Sequence, residues 1–320
     1  AKKLKSKIVL FFHNNPLTLL GSKSKSDRLS LLDKCDFIFF NSKWTKKQFF
    51  LDIDDIKYVE KFGICYQSTK KSNVNLSKKK NIISFVGKLN TAKGYDVFGK
   101  AIIKILNKYP DWKSIVIGDE PREKLNFYHK NLLNLGFQPH SKVLNVFKES
   151  SIAVACSRWE EPFGRTSLEA SSRGCAVIIS NRGGLPETVT NAIILRNLSV
   201  NNVYKSIEKL IKNKSLRKKI QKNSIKNFYL TNEFITKKID KYRKYLVQTK
   251  KKLVKHKNKK YKILHVTNFN ERHNGRLFYN TGTRINNGFV RLNHSVLTLS
   301  DRDIVSYYRS LRDIDGSKTL

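Results

Sequence analysis

The chain has 320 residues, 39% of them apolar, and 64 Lys and Arg stand against 25 Asp and Glu for a formal charge of +39. The apolar share supplies real cores and excludes wholesale disorder, and the length leaves room for two or three domains. No run approaches the ~20 apolar residues of a membrane-spanning helix, and Ile8-Val-Leu-Phe-Phe12 is too short for a signal sequence, so a soluble protein, at most peripheral to a membrane, is expected. In chain order, residues 8 to 12 read as a buried strand leading to His13-Asn-Asn-Pro16. Phe37-Ile-Phe-Phe40 is a second strand, and Ser42 an N-cap for the helix that Lys43 begins. Lys57 to Gly63 reads as the last strand of a partial Rossmann-like lobe spanning 1–67. That span is short of a whole lobe. With an initial alanine and no methionine in the chain, it predicts an N-terminal truncation.

Residues 68–80, polar and lysine-rich, read as a linker. A second Rossmann-like lobe is expected over 81–230. It opens with the strand Asn81 to Gly87, followed by helical periodicity from Val97 to Leu106, the strand Ser114 to Gly118, a strand Leu132 to Phe137 and a helix Lys142 to Lys148. Strand and helix alternate, which argues a parallel, doubly wound sheet. Ser151 to Cys156 and Ala176 to Ser180 are strands flanking a helix, one βαβ unit. Helices follow around 200–212, 215–228 and 231–249, then a basic linker at 250–260. Beyond it, a strand at 261–267, a helix at 283–291 and a strand at 295–299 read as the opening of a further Rossmann-like segment, 261–320.

Chemistry concentrates in two stretches. In Phe85-Val-Gly-Lys-Leu-Asn-Thr-Ala-Lys-Gly94, a strand ending at Gly87 lets a phosphate approach the backbone, and Lys88 and Lys93 can neutralise a diphosphate. In Glu161-Pro-Phe-Gly-Arg-Thr-Ser-Leu-Glu169, a helix starting near Gly164 would aim the amides of Arg165 and Thr166 at an anion. Glu161 and Glu169 then offer two carboxylates to sugar and ribose hydroxyls. The plainer alternative pairs Glu169 with Arg165 and Arg173, four residues to either side, as exposed helix ion pairs worth roughly 0.3 to 0.5 kcal/mol each. Such pairs leave the Pro-Phe-Gly and Gly183-Gly184 punctuation without a reason.

Glu161 to Glu169 resembles the E-x7-E element of retaining family-4 (group 1) glycosyltransferases, and Gly183-Gly184-Leu185-Pro186-Glu187 resembles the GG-x-P-E segment that follows it. The resemblance implies the GT-B fold, two Rossmann-like parallel-sheet domains facing a cleft. It implies that Glu161 lies against the transferred sugar, that Glu169 holds the ribose, and that Phe163, Gly164, Arg165 and Thr166 line sugar and phosphate. Gly87, Lys88 and Lys93 correspond to the family's G-R and K-G positions, with lysine at 88 where arginine is usual, and His13 to a histidine facing the donor sugar from the first lobe.

The activity so implied is transfer of a sugar from a nucleoside-diphosphate sugar to an acceptor hydroxyl with retention. The acceptor would be a glycan, a lipid-linked sugar or a protein, in the synthesis of a cell-surface glycan or glycolipid. No cofactor beyond the nucleotide-sugar co-substrate and no metal are expected, since His and Asp nowhere show ligand spacing. Cys35, Cys65, Cys156 and Cys175 lack C-x-x-C spacing and read as buried, reduced thiols of a cytoplasmic protein. The lysine excess is scattered, so it reads as a solvated face in preference to a specific nucleic-acid surface, leaving room for peripheral contact with an inner membrane. The alternatives are a non-catalytic polyanion-binding protein and a nucleotide-sugar epimerase on the same fold.

Overall fold

Aromatic residues build the first sheet. In the computed structural model, which describes residues 7–70, 72–247, 260–269, 281–301, 303 and 304, β1 (Val9–Phe12), β2 (Phe37–Phe40) and β3 (Phe62–Ile64) pair in parallel in that order. Phe40 and Phe49 are wholly buried between the sheet and its two helices, α1 (Lys25–Lys34) and α2 (Lys43–Phe49). Ser42 does cap α2, its Oγ accepting from the Thr45 amide at 2.9 Å.

The strand expected from Lys57 to Gly63 is a correction. Ile56–Lys61 form a 3-10 helix with no buried residue, and pairing starts only at Phe62, opposite Ile38. The reason is local: the Asp54 carboxylate accepts from the Ile56 amide at 3.1 Å, and such a side-chain turn competes with extension.

The second sheet has six parallel strands. Its elements in chain order are β4 (Lys80–Val86), α3 (Tyr95–Lys108), β5 (Lys113–Ile117), β6 (Leu132–Asn134), α4 (His140–Glu149), β7 (Ser150–Ala155), α5 (Arg165–Ser172), β8 (Ala176–Ser180) and β9 (Ala192–Leu195). Their spatial order is β6-β5-β4-β7-β8-β9. Both faces are covered, as a parallel sheet requires. Ile83, Phe85, Phe98 and Ile152 lead one core, Phe147, Val177 and Ile179 the other. β6 stops three residues earlier than expected because Asn134 Oδ1 takes the Gly136 amide at 3.0 Å, turning the chain through a glycine at φ +61°. β9 has no counterpart in the sequence reading. It is a four-residue edge strand whose Ile194 is 47% exposed, too short to show a period.

Three helices follow: α6 (Val200–Lys212), α7 (Lys214–Lys226) and α8 (Asn232–Val247). Tyr242 of α8 packs on Phe37 and Phe39, with ring centroids 5.0 and 5.1 Å away, so this helix covers the outer face of the three-stranded sheet. Phe163 and Leu168 join the same apolar cluster, which ties the two sheets of residues 7–247 to each other.

Residues 251–320 form a separate compact unit. Its described part is a parallel pair, β10 (Lys262–Val266) and β11 (Ser295–Leu299), with α9 (Thr281–Arg291) between them. The linker 250–260 lies outside the described residues except for Lys260, as do residues 248–249, 270–280, 302 and 305–320. All four cysteines are buried and free, and no helix among the described residues is long and apolar enough to cross a membrane.

Candidate active site

The six-stranded order reverses between β4 and β7: successive strands run outward from β4 in one direction and from β7 in the other. At such a switch point the loops leaving the two strands part, and a crevice opens at their carboxyl ends. Both chemistry-bearing stretches of the sequence leave there, one after Val86 and one after Ala155.

Three glycines set the floor of this crevice by letting backbones touch. Gly94 has φ +73°, and a Cβ on it would lie 1.9 Å from the Cys156 carbonyl oxygen. Gly164 has φ +112°, and a Cβ would lie 2.4 Å from Leu185. Gly183, at φ +58°, would put a Cβ 2.2 Å from the Glu161 carbonyl oxygen. L-residues rarely adopt these angles, so the sequence's Gly punctuation is a steric requirement. Gly87 differs: its φ of +152° demands glycine, yet open space surrounds it, as suits a floor that a ligand approaches.

Lys93 and Glu161 meet across the switch point. Lys93 Nζ donates to Glu161 Oε1 at 2.5 Å, with the two side chains 31% and 13% exposed. The Lys93 amide is anchored by Asn90 Oδ1 at 3.0 Å, and Asn90 Nδ2 reaches Glu120 at 3.3 Å. Arg122 grips Glu120 through Nε at 2.7 Å and Nη2 at 2.9 Å and holds that carboxyl down at about 2, while Lys88 adds a smaller pull from its exposed position. The loop after β4 is therefore locked by ion pairs on the side away from Glu161.

Glu169 sits in the second turn of α5 and is buried, its side chain 7% exposed. Its Oε1 receives Arg165 Nη2 and His140 Nε2, each at 2.9 Å. The exposed-pair alternative is half right: Arg165 does pair with Glu169, but on a buried carboxylate. Arg173 turns instead to Thr69 and Ser172, where burial pushes its guanidinium pKa down. The amides of Arg165 and Thr166 open the helix behind Gly164, ahead of its first internal bond, from Leu168 N to the Gly164 oxygen. Phe163 is 1% exposed, its ring 5.8 Å from Tyr66, so its side chain serves the core and only its backbone can line a site.

Polar contacts between the three-stranded lobe and this one gather at the start of α2. Ser42 Oγ donates to the Pro162 oxygen at 2.6 Å. The Glu187 carboxylate accepts from the amides of Lys43 and Trp44, at 2.8 and 2.9 Å, so it caps α2 from the other lobe. Burial first and the nearby Glu187 carboxylate second raise the pKa of the Tyr66 phenol. His13, at the end of β1, is exposed, and among the described residues its ring makes no hydrogen bond. Partial loss of water around the ring lowers its pKa.

Gly87, Lys93, Glu161, Gly164, Arg165, Thr166 and Glu169 thus come from the two loops at one crevice, Lys88 lies on its Glu120 side, and His13 belongs to the other lobe. Sequence reasoning missed His140 and the capping role of Glu187. His140 had one visible signal, its place at the first turn of a helix near the same strand ends. Among the described residues, no three His, Cys, Asp or Glu side chains gather as metal ligands would.

The family described as "Glycosyl transferases group 1" matches residues 67–227, half of the chain. The spore coat protein SA of Bacillus subtilis (strain 168) is 32% identical over 123 residues, 34% of this chain and 33% of that protein. The protein YtcC of the same organism is 26% identical over 259 residues, 69% of this chain and 62% of that protein. The chain therefore spans between a third and about three fifths of the length of these relatives. Among solved structures, Anabaena Alr3699/HepE in complex with UDP-glucose superposes with a TM-score of 0.64 at 15% identity, covering 75% of this chain and 73% of that one, a likeness of fold. With its two parallel-sheet lobes and a family match over half its length, the chain has the GT-B fold and belongs to the group 1 glycosyl transferases.

Proposed function

We propose that the protein is a retaining glycosyltransferase that takes its sugar from a nucleoside diphosphate and binds it at the crevice between β4 and β7. The observation that carries this reading is the Lys93 to Glu161 ion pair spanning the switch point, with buried Glu169 one helix turn further in. A polar cluster of this kind costs desolvation, and a purely structural ion pair seldom offsets it. A ligand that takes over its partners gives the cluster a purpose. The UDP-glucose held by the Anabaena neighbour supports a nucleotide-sugar donor.

In this reading the diphosphate lies over Gly87, where no side chain intrudes, against the α5 amides of Arg165 and Thr166 and the ammonium groups of Lys88 and Lys93. Lys93 and Glu161 neutralise each other in the geometry seen. When the ammonium turns to phosphate, Glu161 is released to accept hydrogen bonds from the transferred sugar. Glu169 accepts from the ribose. The bond from the anomeric carbon to the diphosphate oxygen breaks, the acceptor oxygen bonds to that carbon from the same face, and its proton passes to the departing phosphate oxygen. Charge appearing on that oxygen is what the lysines and helix amides stabilise. Glu161 and Glu169 are therefore binding groups in this scheme, and the acid and base pair of a glycosidase has no counterpart. The acceptor is a glycan, lipid-linked sugar or protein, reached from the His13 lobe, and assembly of a surface glycan at the inner face of a membrane suits a basic, cytoplasmic chain.

Calorimetric titration with UDP-, GDP- and ADP-sugars tests the site. One of the three is expected to bind saturably, and Glu169→Ala and Lys93→Ala each to weaken it about 10- to 100-fold, the loss of one hydrogen bond to a charged group. Unchanged affinity in both variants refutes the placement. Absence of any saturable nucleotide, joined to nucleic-acid binding that falls steeply with salt, would favour the polyanion-binding alternative.

A further inference from the structure

We infer that His140 is a positioning residue for ribose recognition, aiming the Glu169 carboxylate so that its second oxygen takes a ribose hydroxyl; the inference rests on the nucleotide-sugar reading of the preceding section.

An ionised carboxylate only accepts, with about four lone-pair directions over two oxygens. Both donors seen, His140 Nε2 and Arg165 Nη2, arrive at Oε1, each at 2.9 Å, and among the described residues no hydrogen bond is made to Oε2. With both donors on Oε1 and the side chain only 7% exposed, Oε2 is the oxygen left open to a further donor. The hydroxyls of a sugar are donors of the right kind.

The two partners are not equivalent. Arg165 is four residues before Glu169 on the same helix, so its bond to the carboxylate is internal to α5. His140 comes from α4, 29 residues away, and approaches from a separate element. Two donors fixed on two elements define the carboxylate plane, and α4 is itself locked to the sheet by Val143, Val146 and Phe147. Because Glu169 cannot donate, the bonded ring nitrogen carries the hydrogen, and Nε2–H is the tautomer this contact requires. His140 is 54% exposed and reaches the buried Glu169 carboxylate from the first turn of α4.

The test separates orientation from bulk binding. Using whichever of UDP, GDP and ADP the protein binds, affinities are compared for the nucleotide and its 2′-deoxy and 3′-deoxy counterparts. In the unaltered protein one deoxy form is expected to bind about tenfold or more weakly, the worth of a hydrogen bond to a charged acceptor. His140→Ala should bring that ratio to within about threefold of unity. His140→Gln, whose amide nitrogen can reach the same oxygen, should restore most of it, with melting temperatures confirming that both variants fold. Preserved discrimination in His140→Ala overturns the inference and leaves the nucleotide site standing, as does failure of His140→Gln to restore it or equal binding of all three nucleotides by the unaltered protein. Binding of no nucleotide at all overturns the proposed function itself and this inference with it.

Discussion

The lobe of residues 80–230 and the lobe of residues 7–67 share a plan, parallel strands with helices, and spend their polar residues in opposite ways. In the larger lobe every acid at the crevice is engaged: Glu120 with Arg122, Glu161 with Lys93, Glu169 with Arg165 and His140. Its backbone there is held by glycines that admit no side chain. The smaller lobe is held by ring packing, Phe12, Phe40, Phe49 and Phe50 in one cluster, and its one histidine is His13. The contrast is between a lobe whose charged groups are paired in place at the switch-point crevice and a compact aromatic body joined to it through the Glu187 cap and an apolar cluster.

The most damaging way to break the larger lobe's half of that contrast is Gly94→Ala. The new methyl would need a positive φ and would meet the Cys156 carbonyl, a backbone atom that cannot swing aside. Strain of each kind costs on the order of 1 to 3 kcal/mol, so a loss of about 3 kcal/mol or more in urea unfolding is expected. The same change at Gly87, where no atom lies within 4 Å, meets only the conformational cost and should destabilise less. Equal losses at the two positions would show that the close approach of the β4 and β7 loops is not what the glycines serve.

The docking of the smaller lobe is tested at Glu187. Its carboxylate takes two amides of α2. Glu187→Ala removes a cap whose loss typically costs about 1 kcal/mol, up to about 2. Glu187→Gln keeps one accepting oxygen and should recover part of it. Hydrogen exchange at the Lys43 and Trp44 amides reads the effect directly, and protection unchanged in Glu187→Ala would remove this contact from the account of how the lobes join.

How much of this was legible follows from the range of each interaction. The βαβ unit around Glu161 and Glu169 is local: apolar runs, a Pro-Phe-Gly turn and a glycine at the helix start are all within about 30 residues, and periodicity reads at that range. Ser42 as an N-cap is local too. The 3-10 helix at Ile56–Lys61 was hidden because an Asp54 turn outranked the strand expected at residues 57–63. Glu187 and His140 were hidden for a different reason. Their partners lie 143 to 144 and 29 residues away, and only the sheet order brings them together. In sequence Glu187 is the last residue of a recognised motif with no visible duty. Folded, it is the clasp between lobes.

The smallest expected effect probes the smaller lobe's one histidine, His13. Water is partly removed from around His13, which lowers its pKa in the folded chain from an ordinary value of roughly 6.5. Below that value the unfolded chain takes up the proton first, so it binds more protons than the folded one, and stability rises with pH across the window just under 6.5. Once pH has fallen past the folded-state value the slope vanishes. His13→Asn should flatten this part of the stability profile slightly, because the ring is exposed and water screens much of the effect. If the ring faces a donor sugar, the same variant should slow transfer at pH 7, where a neutral imidazole acts by hydrogen bonding, while leaving nucleotide affinity as it was. A change in nucleotide affinity without one in turnover would move His13 to the donor side and end the division of labour between the lobes.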